Sequence, residues 1–477
     1  MNRRDFLAAA AATPLAAQTA RPNVLFIAVD DLDCRIGCFG DPVARTPNID
    51  RLAARGVRFE RAYCQYPLCN PTRSSVLSGR YPVNTGVLDN NTWLPLREGE
   101  SILPRYFERN GYATAEFGKI WHGPNRGFRP DDPMPKIGGW FTVDERRQQQ
   151  KADAAYWENH QSPYRNMRPP EPKQFAWANV YGPLPDDDPG VDAPIADKAL
   201  AQLDKMTGAG KPFFLSVGFH RPHVPLTAPK KYFDMFDPAE MRLPADFDTE
   251  PRPIPGVPRD EFRANIDLFA ARSFSVHEAR EAMRAYYACT AYMDAQVGRL
   301  LDRLATAGVL ENTIVLLWGD HGWHLSEKGM WAKGTLFETS ARGPLIVSDP
   351  RRTKGQASKR VVQYLDIAPT LASLCGLPKA PWHEGTPLTP LLDNPRAEWS
   401  RPAYTVQARG WFIGRSVRTE RWRYTEWDEG RRGSALYDHD ADPNEMRNLA
   451  ADPKQEATVG ELRKLLRSGP VSRDPGA

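Results

Sequence analysis

The chain has 477 residues, three to four times the length of about 150 residues usual for one domain, with 41% apolar and 26% charged residues. That is enough apolar material for a sizeable core, and it excludes a peptide, a lone binding module and a chain disordered throughout. The 63 basic and 59 acidic residues are well mixed and sum to +4, which leaves no basic field of the kind nucleic acid selects; six cysteines are too few for a disulfide framework, and 44 prolines, against a usual share of about 5%, point to long stiff loops.

Residues 1–20 read MNRRDFLAAAAATPLAAQTA. Arg3 and Arg4 precede Phe6, Leu7, an alanine-rich run and small residues suited to signal-peptidase cleavage, the make-up of an export signal. The run is too short to span a bilayer. Paired arginines at that place mark the twin-arginine route, which exports folded proteins, with an ordinary secretory signal as the alternative. The mature chain is then expected to begin near Arg21, to carry no membrane span, and to work in the periplasm or outside the cell.

Asn23 to Val29 (NVLFIAV) is a continuous apolar run, as a strand covered on both faces requires, and it releases Asp30 and Asp31 at its C-terminal end. Thr46 and Pro47 open a helix with Ile49, Leu52 and Ala53 inward, stopped at Gly56. In the segment CNPTRSSVLSGR, Pro71 suits a helix start, which puts Cys69 just before a helix N-terminus and Arg73 one turn on, able to pair with an oxyanion. Alone, such a cysteine reads as a thiolate nucleophile or as a small buried residue. Tyr112 to Phe117 is a weaker strand followed by Lys119 and His122, and 181–194 reads as an exposed loop. Pro212 to Val217 is a further strand, followed by His220 and His223. A helix over about Ala279 to Ala307, with Met293, Val297, Leu300 and Leu304 on one stripe, ends at Gly308. Thr313 to Trp318 repeats the buried-strand design and ends in Asp320 and His321. Beyond about Pro395, WFIGRSVRT and WRYTEW alternate as a small antiparallel sheet would, before a last helix around Glu456 to Leu466.

Strands alternating with helices predict a doubly wound, mostly parallel α/β core, in which ligands bind outside the C-terminal strand ends. Asp30, Asp31 and Asp320 would meet there. That many carboxylates need a compensating divalent cation, unless the aspartates only cap turns. Oxygen ligands favour Ca²⁺ or Mg²⁺, and the nitrogen of His321 also suits Mn²⁺ or Zn²⁺. Duller readings stand beside these. His122 and His220 can serve loop carbonyls, the preferred reading for His220; Lys119 and Lys333 can be solvated; Trp323 and Trp331 can be packing or a sugar platform. Cys34 and Cys38 flank a turn and are candidates for oxidation.

C-x-P-x-R followed by S-S-V-L-S-G-R resembles the signature of type I sulfatases, in which an enzyme oxidises the cysteine to formylglycine. NVLFIAVDD, TPNIDRLAARGVRF, GYATAEFGKIWH, FFLSVGFHRPHVP, YMDAQVGRLL, GDHGWHLSEKGMWAK and LYDHDADPNEMRNL fall in that family's order, so the likeness spans nearly the whole mature chain. Asp320-His321 stands where many members carry Asp-Asn and, with GKIWH and HRPHVP, is similar to the iduronate 2-sulfatase branch. Thr72 and Ser78 depart from the more usual Ser and Thr of the signature.

The resemblance implies an alkaline-phosphatase-like fold with a sulfatase catalytic domain over 21–395 and a smaller α+β subdomain over 396–477 that carries the antiparallel sheet. It implies Ca²⁺, ahead of Mg²⁺ or Mn²⁺, held by Asp30, Asp31, Asp320, His321 and formylglycine made from Cys69. Arg73, Lys119, His122, His223 and Lys333 would serve the sulfate pocket. A hydrated aldehyde oxygen would attack sulfur, His223 or Lys333 would protonate the departing sugar oxygen, and the second hydroxyl would expel sulfate. The expected substrate is a sulfated saccharide, through the 2-O-sulfate of a uronic acid. The expected partners are a formylglycine-generating maturase and the twin-arginine export machinery. The alternatives are a phosphonate monoester or phosphodiester hydrolase and a catalytically dead carbohydrate-binding protein.

Overall fold

The computed structural model describes residues 21–122, 181–265, 268–269 and 273–471. The expected export signal at 1–20 lies outside them. Among the described residues no helix is long and apolar enough to cross a membrane.

Seven strands form the central sheet: β1 (Asn23–Val29), β2 (Val57–Tyr63), β3 (Ala113–Gly118), β5 (Phe213–Phe219), β7 (Thr313–Gly319), β10 (Leu345–Ser348) and β11 (Gln356–Gln363), in the order β11-β2-β10-β7-β1-β5-β3. Neighbours run parallel except at β10, which is antiparallel to both β7 and β2. Two short pairs lie apart from it, β4 (Tyr181–Leu184) with β6 (Leu226–Pro229) and β8 (His324–Leu325) with β9 (Trp331–Ala332).

Alternation along β1 builds two cores. Val24, Phe26 and Ala28 point to one face, with Ile314, Leu316 and Trp318 of β7 and with Val76, Leu77, Leu103 and Phe107 from helices Cys69–Ser78 and Leu103–Arg109. Leu25, Ile27 and Val29 point to the other, against helices Pro47–Ala53, Asp192–Thr207 and Val276–Thr306. This is the doubly wound arrangement, and all seven residues of β1 and of β7 are buried accordingly.

Some boundaries move from their expected places for local reasons. The long helix starts at Val276 because Ser275 accepts from the Glu278 N–H while Glu278 reaches back to the Ser275 N–H. Cys69 is the first residue of its helix rather than the residue before it, and Pro71 is the third. The stretch 181–194 is an exposed loop only in its middle, 185–191: Tyr181 and Leu184 are buried in β4, and Asp192, also buried, opens a helix.

The C-terminal sheet is a meander, β12 (Ala403–Arg409), β13 (Phe412–Arg418), β14 (Trp422–Trp427) and β15 (Ser434–Asp438). One face is apolar: Val406, Val417, Tyr424 and Leu436 pack against Val459, Leu462 and Leu466 of the helix Glu456–Ser468. The other is polar and meets the main lobe. There Glu338 bonds to Arg423 and Arg418, and its backbone N–H donates to Glu445 Oε2 at 2.7 Å.

Candidate active site

The parallel register sets the site. Val29 of β1 pairs with Gly319 of β7 and with Phe219 of β5, and Gly118 of β3 pairs with Gly218 of β5, so four strands end at one level. The residues that follow therefore emerge side by side: Asp30 and Asp31, Asp320 and His321, His220 and His223, Lys119 and His122. The Cys69 helix closes the site, with Thr72 Oγ1 donating to the Asp320 carbonyl at 2.9 Å.

Asp31 turns the chain in the left-handed region, at φ 60°, which disfavours residues with a Cβ. The turn is held from the long helix: Tyr286 Oη donates to the Asp31 carbonyl at 2.7 Å and accepts from the Asp33 N–H at 2.9 Å. The Asp31 N–H donates to Asp320 Oδ1 at 2.9 Å, which ties the two strand ends together.

Asp30, Asp31, Asp320 and His321 are all at 0% exposure and Cys69 is at 1%. Arg73 lies beneath them, with Nη2 3.1 Å from Asp30 Oδ1 and Nε 3.0 Å from Asp320 Oδ2. Its Nη1 donates to the Lys119 carbonyl and, at 3.2 Å, to that of Ile120. The guanidinium expected to face an oxyanion is thus committed to holding two carboxylates and the Lys119 turn in place. Lys119 pairs with Asp30, and Lys333 pairs with Asp31 while approaching Cys69 Sγ at 3.1 Å. Neither lysine is a solvated surface cation. The Lys333 ammonium also lies 5.1 Å above the Trp323 ring.

The donor set fits a divalent cation. Ligand atoms of Asp31, Cys69, Asp320 and His321 lie within 4.8 Å of one another, as do those of Asp30, Asp31, Cys69 and His223. Asp31 Oδ2 is buried without a hydrogen-bond partner. Burial pushes the Asp31 carboxyl well above the usual range; Lys333 pulls it down, and the adjacent Asp30 and Asp320 raise it further. Asp30 is held well below that range because the Lys119 and Arg73 charges outweigh its burial. Three carboxylates, one of them orphaned, with a neutral imidazole beside them suit a hard cation.

Burial, reinforced by Asp30, pushes the Cys69 thiol well above its ordinary value. A low-pKa thiolate is therefore not what this helix start provides. Cys69 Sγ is 3.5 Å from His321 Nε2 and 3.9 Å from Asp31 Oδ1. Burial, then the Lys119 charge, lowers His122 to about 2, and burial lowers His321 to about 4; His223 is also held well below its ordinary value by burial and Lys119. Their surroundings favour the neutral imidazole. His223 Nε2 is 3.8 Å from both Asp30 and Asp31.

His220 contributes through its backbone. Its N–H and that of Arg221 donate to the two Asp192 oxygens at 2.7 and 2.9 Å, and the His223 N–H donates to the His220 carbonyl at 2.8 Å, shaping the turn that presents His223. Trp323 and Trp331 are 0% and 1% exposed, so they are packing and not a sugar platform. Trp331 stacks edge-on with Phe269 and Phe274. Cys34 and Cys38 are free thiols. Sequence reasoning missed Tyr286, whose stripe on the long helix reads as core, and Asp192, which lies amid acidic loop residues.

A family model described as Sulfatase matches residues 22–377, and a second, for the C-terminal part of N-sulphoglucosamine sulphohydrolase, matches 326–470. The chain is 30% identical to the iduronate 2-sulfatase of Homo sapiens over 93% of this chain and 93% of that protein. It is 32% identical to the choline-sulfatase of Rhizobium meliloti over 94% of this chain and 86% of that one. Among solved structures, the phosphonate monoester hydrolase of Agrobacterium radiobacter superposes with a TM-score of 0.73 at 24% identity, over 94% of this chain and 95% of that one.

Proposed function

The chain belongs to the sulfatase family and has its alkaline-phosphatase-like fold, and from that premise we propose that it removes the 2-O-sulfate of a uronic acid from sulfated polysaccharide fragments. Hydrolysis of sulfate esters is the family's activity, and the family implies a metal ion and formylglycine in general. The uronic acid, the Ca²⁺ and the conversion of Cys69 are the proposal. The observation that carries it is the placement of Cys69 Sγ among His321, Lys333 and Asp31, at 3.5, 3.1 and 3.9 Å, in a site whose electrostatics disfavour a thiolate.

Asp30, Asp31, Asp320, His321 and the converted Cys69 would hold the cation, which would offset charge on the sulfate oxygens. The converted side chain would supply an oxygen nucleophile with an internal route for releasing sulfate, which a thiol lacks. Arg73 keeps Asp30, Asp320 and the Lys119 turn in register. Lys119 and Lys333 bring positive charge to the sulfate. Lys333, which pairs with Asp31 and approaches Cys69 Sγ at 3.1 Å, is the candidate to protonate the departing sugar oxygen. Neutral His223 and His122 complete the wall as hydrogen-bonding groups. Likeness to iduronate 2-sulfatase at 30% identity supports a uronic acid, as does the basic pair Lys119 and Lys333.

Export is part of the proposal. Cys69 is buried, so the maturase must meet it before the chain folds, whereas the twin-arginine route carries folded protein. Oxidation therefore precedes export, and replacing Arg3 and Arg4 with lysine strands active enzyme in the cytoplasm. Secretion undiminished by that change refutes the route.

A panel of sulfated disaccharides differing only in sulfate position, with an aryl sulfate and a phosphodiester alongside, tests the activity. Preference for the 2-O-sulfated uronic acid supports the proposal. Phosphodiester turnover far above all sulfate ester turnover overturns it.

A further inference from the structure

The polar face of the C-terminal sheet reaches the active site at the end of β12. Gln407 Nε2 donates to Tyr66 Oη at 3.1 Å, and the Ala408 N–H donates to the same oxygen at 3.0 Å; Tyr66 lies three residues before Cys69. Two residues along, Arg409 Nη2 donates to the Gly334 carbonyl at 2.6 Å, while Arg263 Nη1 donates to that of Lys333, also at 2.6 Å. The end of β12 is thus joined to both segments that deliver reacting groups, the approach to Cys69 and the loop of Lys333.

Arg409 is not explained by that clamp. Its hydrogen bonds go to backbone carbonyls, of Gly334 and, at 3.4 Å, Ala408, and among the described residues no carboxylate lies within ion-pair distance of it. Its Nε is buried without a partner, and so is Gln407 Oε1 beside it. Trp427 covers one face of the guanidinium at 5.2 Å, which leaves the in-plane N–H edge for recognition. Burial, together with the neighbouring Arg263 charge, brings Arg409 down to about 10, against the opposing pull of Glu261 and Asp260. A half-buried guanidinium whose Nε is buried and idle leaves a donor that an acceptor in hydrogen-bond reach would satisfy.

We propose that Arg409, with Arg263 and Gln407 beside it, forms a subsite next to Lys333 for a second anionic group of the substrate, a carboxylate or a further sulfate. This rests on the sulfatase reading and deepens it: the enzyme would select saccharides carrying an acid besides the ester it cleaves. The planar fork of Arg409 matches either acid.

The test compares matched substrates. One pair is a 2-O-sulfated uronic acid disaccharide and its carboxyl methyl ester; the other is the same disaccharide with and without a second sulfate. For each pair the ratio of kcat/KM values, more anionic over less anionic, is measured in the parent, Arg409→Gln, Arg409→Lys and Gln407→Glu, with folding followed by thermal midpoint. The parent is expected to show a ratio well above one in at least one pair. Arg409→Gln lowers that ratio tenfold or more, chiefly through KM, Arg409→Lys keeps much of it, and Gln407→Glu, which adds a like charge beside the anion, lowers it without touching the Gly334 clamp. The pair whose ratio moves identifies the acid. Ratios indifferent to residues 409 and 407, even where overall rates fall, overturn the subsite and make Arg409 a structural clamp. A parent that hydrolyses no member of either pair overturns the sulfatase reading, and the subsite with it.

Discussion

Arg423 offers a test of how the C-terminal sheet supports the site. Its side chain is 1% exposed, with Nη2 2.5 Å from Glu338 Oε2 and Nε 2.7 Å from Glu445 Oε1. Glu445 also lies 3.1 Å from His439 Nε2 and accepts from the Glu338 N–H. Glu338 begins the short helix that follows the Lys333 loop, so the pair anchors that loop to β14. Arg423→Met removes the cation and leaves two buried carboxylates, with Arg418 at 3.3 Å as the remaining guanidinium on Glu338. Breaking a buried ion pair from one side costs about 3–5 kcal/mol. At about 2.1 cal/mol/K of unfolding entropy per residue, a chain this long loses roughly 1 °C of midpoint per kcal/mol, so a fall of about 3–5 °C is expected. The sign with pH follows from the two glutamates, both held below their ordinary value of 4.5, Glu338 chiefly by Arg418 and Arg423, Glu445 chiefly by Arg423, in each case against burial. Such groups stabilise the fold above 4.5 and lose that contribution as pH drops through their folded values, so the deficit of Arg423→Met shrinks in acid. Adding Glu445→Gln should restore part of the loss at neutral pH. The assays are thermal unfolding from pH 4 to 8 and kcat on an aryl sulfate, which should fall as Lys333 loosens. A midpoint within 1 °C of the parent at pH 7, or a double variant less stable than the single, refutes this reasoning.

Glu261 is buried, and burial pushes it up to about 7 against the opposing effects of the Trp427 N–H and the Arg409 and Arg423 charges. The folded chain therefore binds that proton more tightly than the unfolded chain, and stability drains away as pH rises from about 4.5 to 7. Glu261→Gln should match the parent near pH 4 and exceed it by about 3 kcal/mol at pH 8, read by denaturant unfolding; equal stability at pH 8 contradicts this. A Cβ at Gly218 would come within 2.2 Å of the Lys119 carbonyl. Gly218→Ala should cost about 1–3 kcal/mol and lower kcat by displacing Lys119, and unchanged kinetics would show that the turn yields freely. Exhaustive chelation should abolish sulfatase activity and Ca²⁺ should restore it better than Mg²⁺; full activity in protein shown metal-free by elemental analysis contradicts the cation site.

What could be read in advance follows from what burial does to a pattern. β1, β5 and β7 are covered on both faces, so they appear as unbroken apolar runs, and the polar residues at their ends announce the site edge. β10 has only four residues and β11 is an edge strand with polar residues and a register shift, so neither stood out, nor did the reversed direction of β10. Cys69 and Arg73 were legible as a motif, but the contacts of Arg73 were not, because helical spacing does not tell whether a guanidinium meets a ligand or two carboxylates 43 and 247 positions away. Trp323 and Trp331 were ambiguous because an aromatic ring serves packing and sugar equally well. Glu338, Arg423 and Glu445 look like ordinary surface charges in the sequence; only the pairing of the C-terminal sheet with the main lobe buries them.

The most direct measurement is the mass of the peptide containing Cys69, from active protein made in its native host. An aldehyde or its hydrate in place of the thiol is the predicted result. Unmodified cysteine throughout, in protein that still hydrolyses sulfate esters, would contradict the proposal that this buried helix start carries the nucleophile in oxidised form.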